Sequence, residues 1–204
     1  MLYCSTPDFP AQPFIYFKIF IMKQLLFFII LAFVFVNASA QPLNKISKDR
    51  NGNPMLEGCC TREALLQEPF ASWFVPGYNS YKVDSATAVQ LMLYIGNKTF
   101  VLFLGTWCGD SKREVPRLYK IFDYCGIQPE QVKLVMVSNH DTAYKQSPTH
   151  EEQGKNILRV PTLLVLENGN EINRFVEYPV ESLEKDLLHM LSRTGYKHAY
   201  DKSK

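Results

Sequence analysis

From Ser85 onwards, segments with helical spacing of apolar residues alternate with unbroken apolar runs. In residues 85–95, and again after Trp107, apolar residues recur at the spacing of a helix. Residues 100–104 and 132–138 are almost unbroken apolar runs, which are typical of strands covered on both faces of a sheet. Because a helix joins these two strands, we expect them to be parallel.

The clearest turn is Asn168-Gly169, which separates the strand-like residues 162–166 and 171–176. Both turn residues accept a positive φ, so the pair favours a type I′ hairpin. The hairpin is expected to add antiparallel strands to the same sheet. An amphipathic terminal helix follows over residues 180–191.

The patterns are weaker elsewhere in the chain. Residues 41–60 are rich in turn formers without periodicity, which indicates a loop. Thr61 is placed to cap a short helix that ends at Pro76-Gly77. Residues 139–156 are polar, with at most one helix expected near their end. This order of elements predicts an α/β sandwich, with a central mixed β-sheet of about four to five strands and helices on both faces.

The amino-terminal residues have the pattern of an export signal. Met22 precedes an apolar run over residues 25–36, and residues 37–40 (Asn-Ala-Ser-Ala) place small residues where a signal peptidase cuts. We expect translation from Met22, cleavage after Ala40, and a periplasmic or secreted protein without a stable membrane anchor. The competing interpretation joins residues 14–21 to the apolar run as one anchor, although three polar residues interrupt that span.

Composition narrows the classes of function. The 204 residues include 22 Lys+Arg and 20 Asp+Glu, and a net charge of +2 is too small for an electrostatic nucleic-acid binder. Five cysteines are too few for a disulfide-built scaffold. Cleavage removes Cys4 and leaves Cys59, Cys60, Cys108 and Cys125. Export places these four cysteines in a compartment where disulfides can form and persist.

Chemistry is concentrated in six consecutive residues between a strand and a helix: Trp107, Cys108, Gly109, Asp110, Ser111 and Lys112. A cysteine at a helix N-terminus faces unpaired backbone N–H groups and the positive end of the helix dipole. Both favour the thiolate, which is the nucleophile in disulfide exchange. Lys112 adds to this effect and the Asp110 carboxylate opposes it. Ser111 and Glu114 also fit a capping box, which would start the helix one turn later.

These six residues resemble the active-site motif of the thioredoxin superfamily. The resemblance includes Pro116, eight residues after the cysteine, and Val160-Pro161 before the hairpin, and it covers about residues 85–192. It implies a thioredoxin-like three-layer sandwich in which Pro116 kinks the active-site helix. It also implies a cis peptide bond at Pro161, beside Cys108, that helps to hold the substrate backbone.

The resemblance divides the chain into a signal region (1–40), an N-terminal extension (41–84), a thioredoxin-like domain (85–193) and a C-terminal tail (194–204). The residues it implies for catalysis are Cys108, Ser111 and Lys112. Those it implies for substrate binding are Trp107, Gly109, Asp110, Val160 and Pro161. The expected partners are protein thiols and disulfides or a small thiol, without a cofactor, a metal or nucleic acid.

Three positions depart from the family pattern. Asp110 stands where proline is common. Ser111 stands where dithiol members have a second cysteine, so the usual intramolecular resolution step is missing. Leu102 stands where many thioredoxins carry a buried acidic residue. We therefore expect monothiol or isomerase-like exchange, in which Cys108 attacks a substrate disulfide and forms a mixed disulfide. Release requires a thiol of the substrate, a small thiol, or Cys59 or Cys60.

The doublet Cys59-Cys60 leaves several roles open. It could supply a resolving thiol, bind a soft metal together with Cys108, or pair structurally with Cys125. In an exported protein the structural disulfide is the first expectation. Two other classes of function also remain: a non-catalytic thioredoxin-fold module that binds polypeptide, and a metal-handling protein that uses the doublet.

Overall fold

The computed structural model describes residues 22–24 and 43–202. Met22, Lys23 and Gln24 are helical, and the rest of the predicted signal region, with its cleavage site after Ala40, lies outside the described residues. The described residues from Leu43 onwards belong to one unit. Within the described ranges, every helix falls short of the length and hydropathy that a membrane span requires.

The regular elements follow one another in a β-β-α-α-α-β-α-β-β-β-α order. The strands are β1 (Lys45–Lys48), β2 (Pro54–Cys60), β3 (Thr99–Leu104), β4 (Val132–Met136), β5 (Thr162–Glu167) and β6 (Asn170–Val176). The helices are α1 (Arg62–Leu65), α2 (Ala71–Ser80), α3 (Ser85–Ile95), α4 (Gly109–Tyr124) and α5 (Leu183–Ser192). Short 3-10 turns lie at Pro129–Gln131 and Asp141–Ala143.

The strands form one mixed sheet in the order β1-β2-β4-β3-β5-β6. Strands β3 and β4 are parallel, with Leu102 opposite Leu134, which confirms the prediction for the two apolar runs. The remaining neighbours are antiparallel, and β5 pairs with β3 so that Phe103 lies opposite Thr162. The α/β class is therefore correct, and the central β3 strand is buried between β4 and β5.

The expected count of about four to five strands is too low, because residues 41–60 are not a loop. They form the β1–β2 hairpin, and β2 joins the sheet beside β4. The turn formers that suggested a loop make the hairpin turn. There the buried Asp49 carboxylate accepts hydrogen bonds from the backbone N–H groups of Asn51 and Asn53, each at 2.8 Å.

The helices do not cover both faces of the sheet as expected. Buried residues of all five helices pack in one cluster with one face of the sheet. The cluster on the other face contains no helical residue and consists of Val101, Phe103, Val135, Val137, Ile157, Val160 and Leu164. Residues 139–160 cover this second face without an α-helix, so the helix expected near the end of 139–156 does not form. We call these residues the covering segment.

Helix α2 continues past the proline that was expected to end it. Pro76 is its sixth residue, and the helix extends to Ser80. Gly77 lies against Pro116 of α4, where an added Cβ would be 3.0 Å from the proline Cγ. The absence of a side chain at this position allows the two helices to approach closely, and their packing outweighs the local cost of an interior proline.

The hairpin between β5 and β6 has the predicted turn. Asn168 and Gly169 both have positive φ angles, of 52° and 79°. Asn168 also accepts a hydrogen bond from the side-chain amide of Asn97 at 3.0 Å. The turn fixes the register of the two edge strands and, through β5, the position of the residues that precede it.

Replacing Gly169 with alanine is expected to destabilise the protein by about 1–2 kcal/mol, because a side chain disfavours the left-handed conformation. An added Cβ would meet nothing within 4 Å, so the cost is conformational and not steric. Gly109→Ala is the matched control, because Gly109 is equally open but has no positive φ. Urea unfolding followed by circular dichroism measures both; equal midpoints for the two variants would contradict the assigned turn.

Candidate active site

Cys108 occupies the position between strand β3 and helix α4 that the sequence predicts. It is the N-cap residue of α4, and its carbonyl oxygen accepts a hydrogen bond from the Lys112 N–H at 3.0 Å. Its own N–H donates to the Gly105 carbonyl at 2.9 Å. The half-buried side chain therefore stands where backbone N–H groups of the first helical turn are unpaired.

The Cys108 sulfur lies beside the loop that precedes β5. Its Sγ atom is 3.2 Å from the carbonyl oxygen of Val160, to which the thiol donates a hydrogen bond. The Val160–Pro161 peptide bond is cis, as the resemblance implied. Val160 and Pro161 are both buried.

Ser111 is fully buried and faces the end of strand β3. Its Oγ atom accepts a hydrogen bond from the Gly105 N–H at 3.3 Å. The structure therefore brings Ser111 to the backbone of residue 105 and not to the sulfur. Helix α4 begins at Gly109, so the capping-box interpretation, which places the helix start one turn later, is wrong.

Trp107 forms one wall beside the cysteine. Its indole N–H donates to the Val137 carbonyl at 2.8 Å, and its ring lies 5.8 Å from the ring of Tyr144, centroid to centroid. The indole also covers Gly105, where an added Cβ would be 2.5 Å from the Trp107 Cε2 atom. Glycine at this position is therefore required for the tryptophan to lie flat against the strand end.

The charges around Cys108 are unevenly compensated. Asp110 forms an ion pair with Arg113 at 2.8 Å, and the buried Glu114 forms one with the same arginine at 2.5 Å. Lys112 is exposed and has no ion pair within the described part of the chain. The carboxylate expected to oppose a thiolate is thus balanced, whereas the Lys112 ammonium is not. Gly109 is exposed at the helix start.

The two cysteines of the doublet point to opposite faces of the sheet. Cys59 lies opposite Val135 and Cys60 lies opposite Leu134, and adjacent strand residues face opposite sides. Cys60 and Cys125 belong to the core beneath the helices, whereas Cys59 faces the covering segment and donates a hydrogen bond to Glu151 at 3.1 Å. The doublet therefore cannot direct both sulfurs to one ligand with Cys108.

The cysteines at positions 59, 60, 108 and 125 are free thiols in this structure, so it contains none of the pairings considered for them. Burial raises the pKa of Cys60 to about 12 and that of Cys125 to about 11. Burial, together with the hydrogen bond to Glu151, also raises the pKa of Cys59. These three thiols are therefore protonated at neutral pH.

The hydrogen-bonding group around Cys59 anchors the covering segment to β2. Burial acts to raise the pKa of Glu151, but hydrogen bonds from Thr149, Ser147 and Cys59 outweigh it and lower the pKa to about 2. The Ser147 hydroxyl donates to this carboxylate at 2.7 Å. Glu151 therefore remains charged at all ordinary pH values. The protonated Cys59 thiol is one of the donors that hold this carboxylate in place.

Tyr144 packs against Trp107 and had no signal in the sequence. It belongs to the covering segment, whose polar sequence has no periodicity. Lys145, the next residue, donates a hydrogen bond to the Leu158 carbonyl at 2.5 Å. Among the described residues, no group of three His, Cys, Asp or Glu side chains is placed to hold a metal ion. A separate cavity of about 260 Å³ lies on the helical side of the sheet and is lined by residues that include Cys60, Phe122 and Leu134.

No protein-family model matches the chain, and no curated protein sequence does. Two solved structures show a partial likeness. The crystal structure of an HIV epitope scaffold is 17% identical with a TM-score of 0.44, over 60% of this chain and 84% of that one. The crystal structure of a protein of unknown function from Pseudomonas aeruginosa is 18% identical with a TM-score of 0.40, over 60% and 80%. These values are too low to assign the chain to a fold family or a function.

The four thiols are expected to react with iodoacetamide in a fixed order at pH 8. Cys108 reacts first, Cys59 more slowly because its thiol is held protonated by Glu151, and Cys60 and Cys125 only after unfolding. Peptide mass spectrometry of samples quenched at intervals gives the order. Cys60 or Cys125 labelled in the folded protein as fast as Cys108 would contradict the burial and the raised pKa values described here.

Proposed function

We propose that this chain is an exported member of the thioredoxin superfamily that exchanges thiols and disulfides through Cys108. The order β3-α4-β4, with parallel strands, followed by the β5–β6 hairpin and α5 supports this fold assignment. The sandwich is unusual because the covering segment replaces a helix on the second face. The hairpin β1–β2 extends the sheet beyond β4.

One observation carries the proposed activity: the half-buried Cys108 is the N-cap residue of α4 and lies beside the cis Val160–Pro161 peptide bond. In general, the positive end of a helix dipole favours an anion over a neutral group, and this is the environment in which Cys108 would react. The thiolate attacks one sulfur of a substrate disulfide, and a bond forms between Cys108 and that sulfur. The other substrate sulfur leaves as a thiolate and takes a proton from water.

A second thiolate must then release the substrate. It attacks the substrate-side sulfur of the mixed disulfide, forms a new disulfide with it and returns Cys108 as a thiolate. When the attacking thiolate belongs to the substrate, disulfides are rearranged without net oxidation or reduction. When it belongs to a small thiol, the substrate leaves as a mixed disulfide with that thiol.

The positions of the other groups favour release by an outside thiol. Ser111 is buried against Gly105 and has no sulfur, and Cys60 and Cys125 lie in the core beneath the helices. Cys59 is on the same side of the sheet as Cys108, but its thiol donates a hydrogen bond to Glu151. Isomerisation or monothiol exchange therefore fits this site better than net dithiol reduction.

Incubation with oxidised glutathione is expected to give a single mixed disulfide at Cys108. Cys108→Ser abolishes this adduct, because the serine hydroxyl cannot displace a thiolate, whereas Cys59→Ser leaves it unchanged as the half-buried control. Intact-protein and peptide mass spectrometry identify the modified residue. An adduct that persists in Cys108→Ser, or that forms on no cysteine of the folded wild-type protein, would contradict the proposed activity and favour a non-catalytic binding module.

Export is proposed from the sequence pattern of residues 22–40. The protein recovered from the periplasm or the medium of an expressing bacterium should begin at Gln41, as determined by amino-terminal sequencing. Ala40→Pro blocks the cleavage site and should leave a longer, uncleaved form. A mature protein that retains residues 22–40 in the wild type would rule out the signal peptide.

A further inference from the structure

The cavity on the helical side of the sheet is separate from the Cys108 site. It lies between α4 and strands β2 and β4, has a volume of about 260 Å³, and has Tyr119 and Phe122 in its wall. Cys108 packs instead against the apolar cluster on the other face of the sheet. Phe122 follows Cys108 by about four turns of α4, which is about 20 Å along the helix axis. A disulfide bound at Cys108 therefore does not occupy this cavity.

The inner wall of the cavity is apolar and rigid. Cys60, Phe122 and Leu134 line it and are buried in the core beneath the helices. Leu134 lies opposite Leu102 in the parallel strand pair and opposite Cys60 in the antiparallel one, so the sheet holds this wall in place. A wall built from paired strands and a long helix is preformed, and a ligand does not have to order it.

The outer edge of the cavity is polar, and its arginine is already engaged. The Arg62 guanidinium donates hydrogen bonds to the Asp123 carboxylate at 2.7 and 2.8 Å. The Tyr78 hydroxyl donates a third at 2.5 Å. The exposed Glu63, whose pKa is lowered by a hydrogen bond from the Thr61 hydroxyl, adds a negative charge at this edge. An anionic ligand would therefore meet a paired arginine and an opposing glutamate.

The volume and the aromatic wall set the kind of ligand. An apolar cavity of about 150 Å³ binds benzene, so this cavity of about 260 Å³ has room for two fused rings. The rings of Tyr119 and Phe122 meet edge to face, with centroids 5.8 Å apart. Aromatic rings pair edge to face or offset, so a flat aromatic ligand can pack on either side chain. A charged group would lose its hydration against the apolar inner wall and gain no hydrogen bond from it.

We propose that this cavity binds a small, neutral aromatic molecule of about two fused rings. The rings lie against Tyr119 and Phe122, and a neutral polar group such as a hydroxyl stays at the outer edge beside Arg62. The cavity and Cys108 lie on opposite faces of the sheet, so this binding goes beyond the proposed exchange activity and does not depend on it.

Isothermal titration calorimetry at pH 7 with two probes tests the ligand class. The probe 2-naphthol carries two fused rings and a neutral hydroxyl, and 2-naphthoate carries the same rings and a carboxylate. We expect a single molecule of 2-naphthol to bind per chain. The anion should bind at least about tenfold more weakly, because its charge is opposed by Glu63 and is costly to bury.

Val132→Phe fills the cavity, and Val89→Phe is the matched control. The half-buried Val132 side chain lines the cavity at the start of β4. Val89, on α3, is 55% exposed and is not part of the cavity wall. Val132→Phe should weaken the binding of 2-naphthol at least about tenfold, since the new ring takes the space of the ligand. Val89→Phe should leave the affinity unchanged, and circular dichroism checks that both variants fold.

Amide chemical shifts of the wild-type protein locate the site even if Val132→Phe does not fold. Saturating 2-naphthol should shift residues 60–63, 119–123 and 127–134. The inference is overturned if 2-naphthol shows no saturable binding, if the shifts are confined to other residues, or if the two phenylalanine variants bind it equally well. Tighter binding of 2-naphthoate would also overturn it, because the site would then select an anion. Cys108→Ser should bind 2-naphthol as the wild type does, so a failure of this site and a failure of the exchange activity are seen separately.

Discussion

The contact between the Cys108 sulfur and the Val160 carbonyl joins two segments that are 52 residues apart in the chain. The antiparallel register of β3 and β5 brings them together, because Phe103 near the end of one strand lies opposite Thr162 at the start of the other. A slip of one residue would turn the side chains of β5 to the other face. The site therefore depends on the same pairing that builds the centre of the sheet.

The two faces of the sheet are covered in different ways. The helical side contains the larger part of the apolar core, together with Cys60 and Cys125. The other side is covered by an irregular segment that is hydrogen-bonded to β2 through Cys59 and Glu151 and contacts Trp107 of the candidate site through Tyr144. A helix would bury most of its apolar residues against the sheet. The irregular segment instead leaves the side chains of Tyr144 and Leu158 exposed.

Local patterns predicted the elements whose signals do not depend on distant partners. Helix α4, the parallel pair β3 and β4, and the Asn168-Gly169 turn are confirmed. The β1–β2 hairpin was missed because its turn residues outnumber its apolar ones, and β2 is stabilised by pairing with β4. Helix α2 passes Pro76 because Gly77 packs on Pro116, which is a long-range contact that no local pattern contains.

The same distinction applies to the site. Cys108 and the cis bond at Pro161 could be predicted, because a short motif carries each of them. The burial of Ser111 against Gly105 and the contact of Tyr144 with Trp107 could not. The Tyr144 contact results from the fold of the covering segment, whose sequence has neither helical nor strand periodicity.

The central claim is that the start of α4 makes the Cys108 sulfur available as a nucleophile. The most direct measurement is its second-order rate constant with a small uncharged disulfide at pH 7, in the Cys59→Ser background. The reference is the cysteine of a short unstructured peptide with the same sequence around it. The account predicts a faster reaction for the folded protein. An equal or slower rate would contradict it, because the sulfur would then gain nothing from its place in the fold.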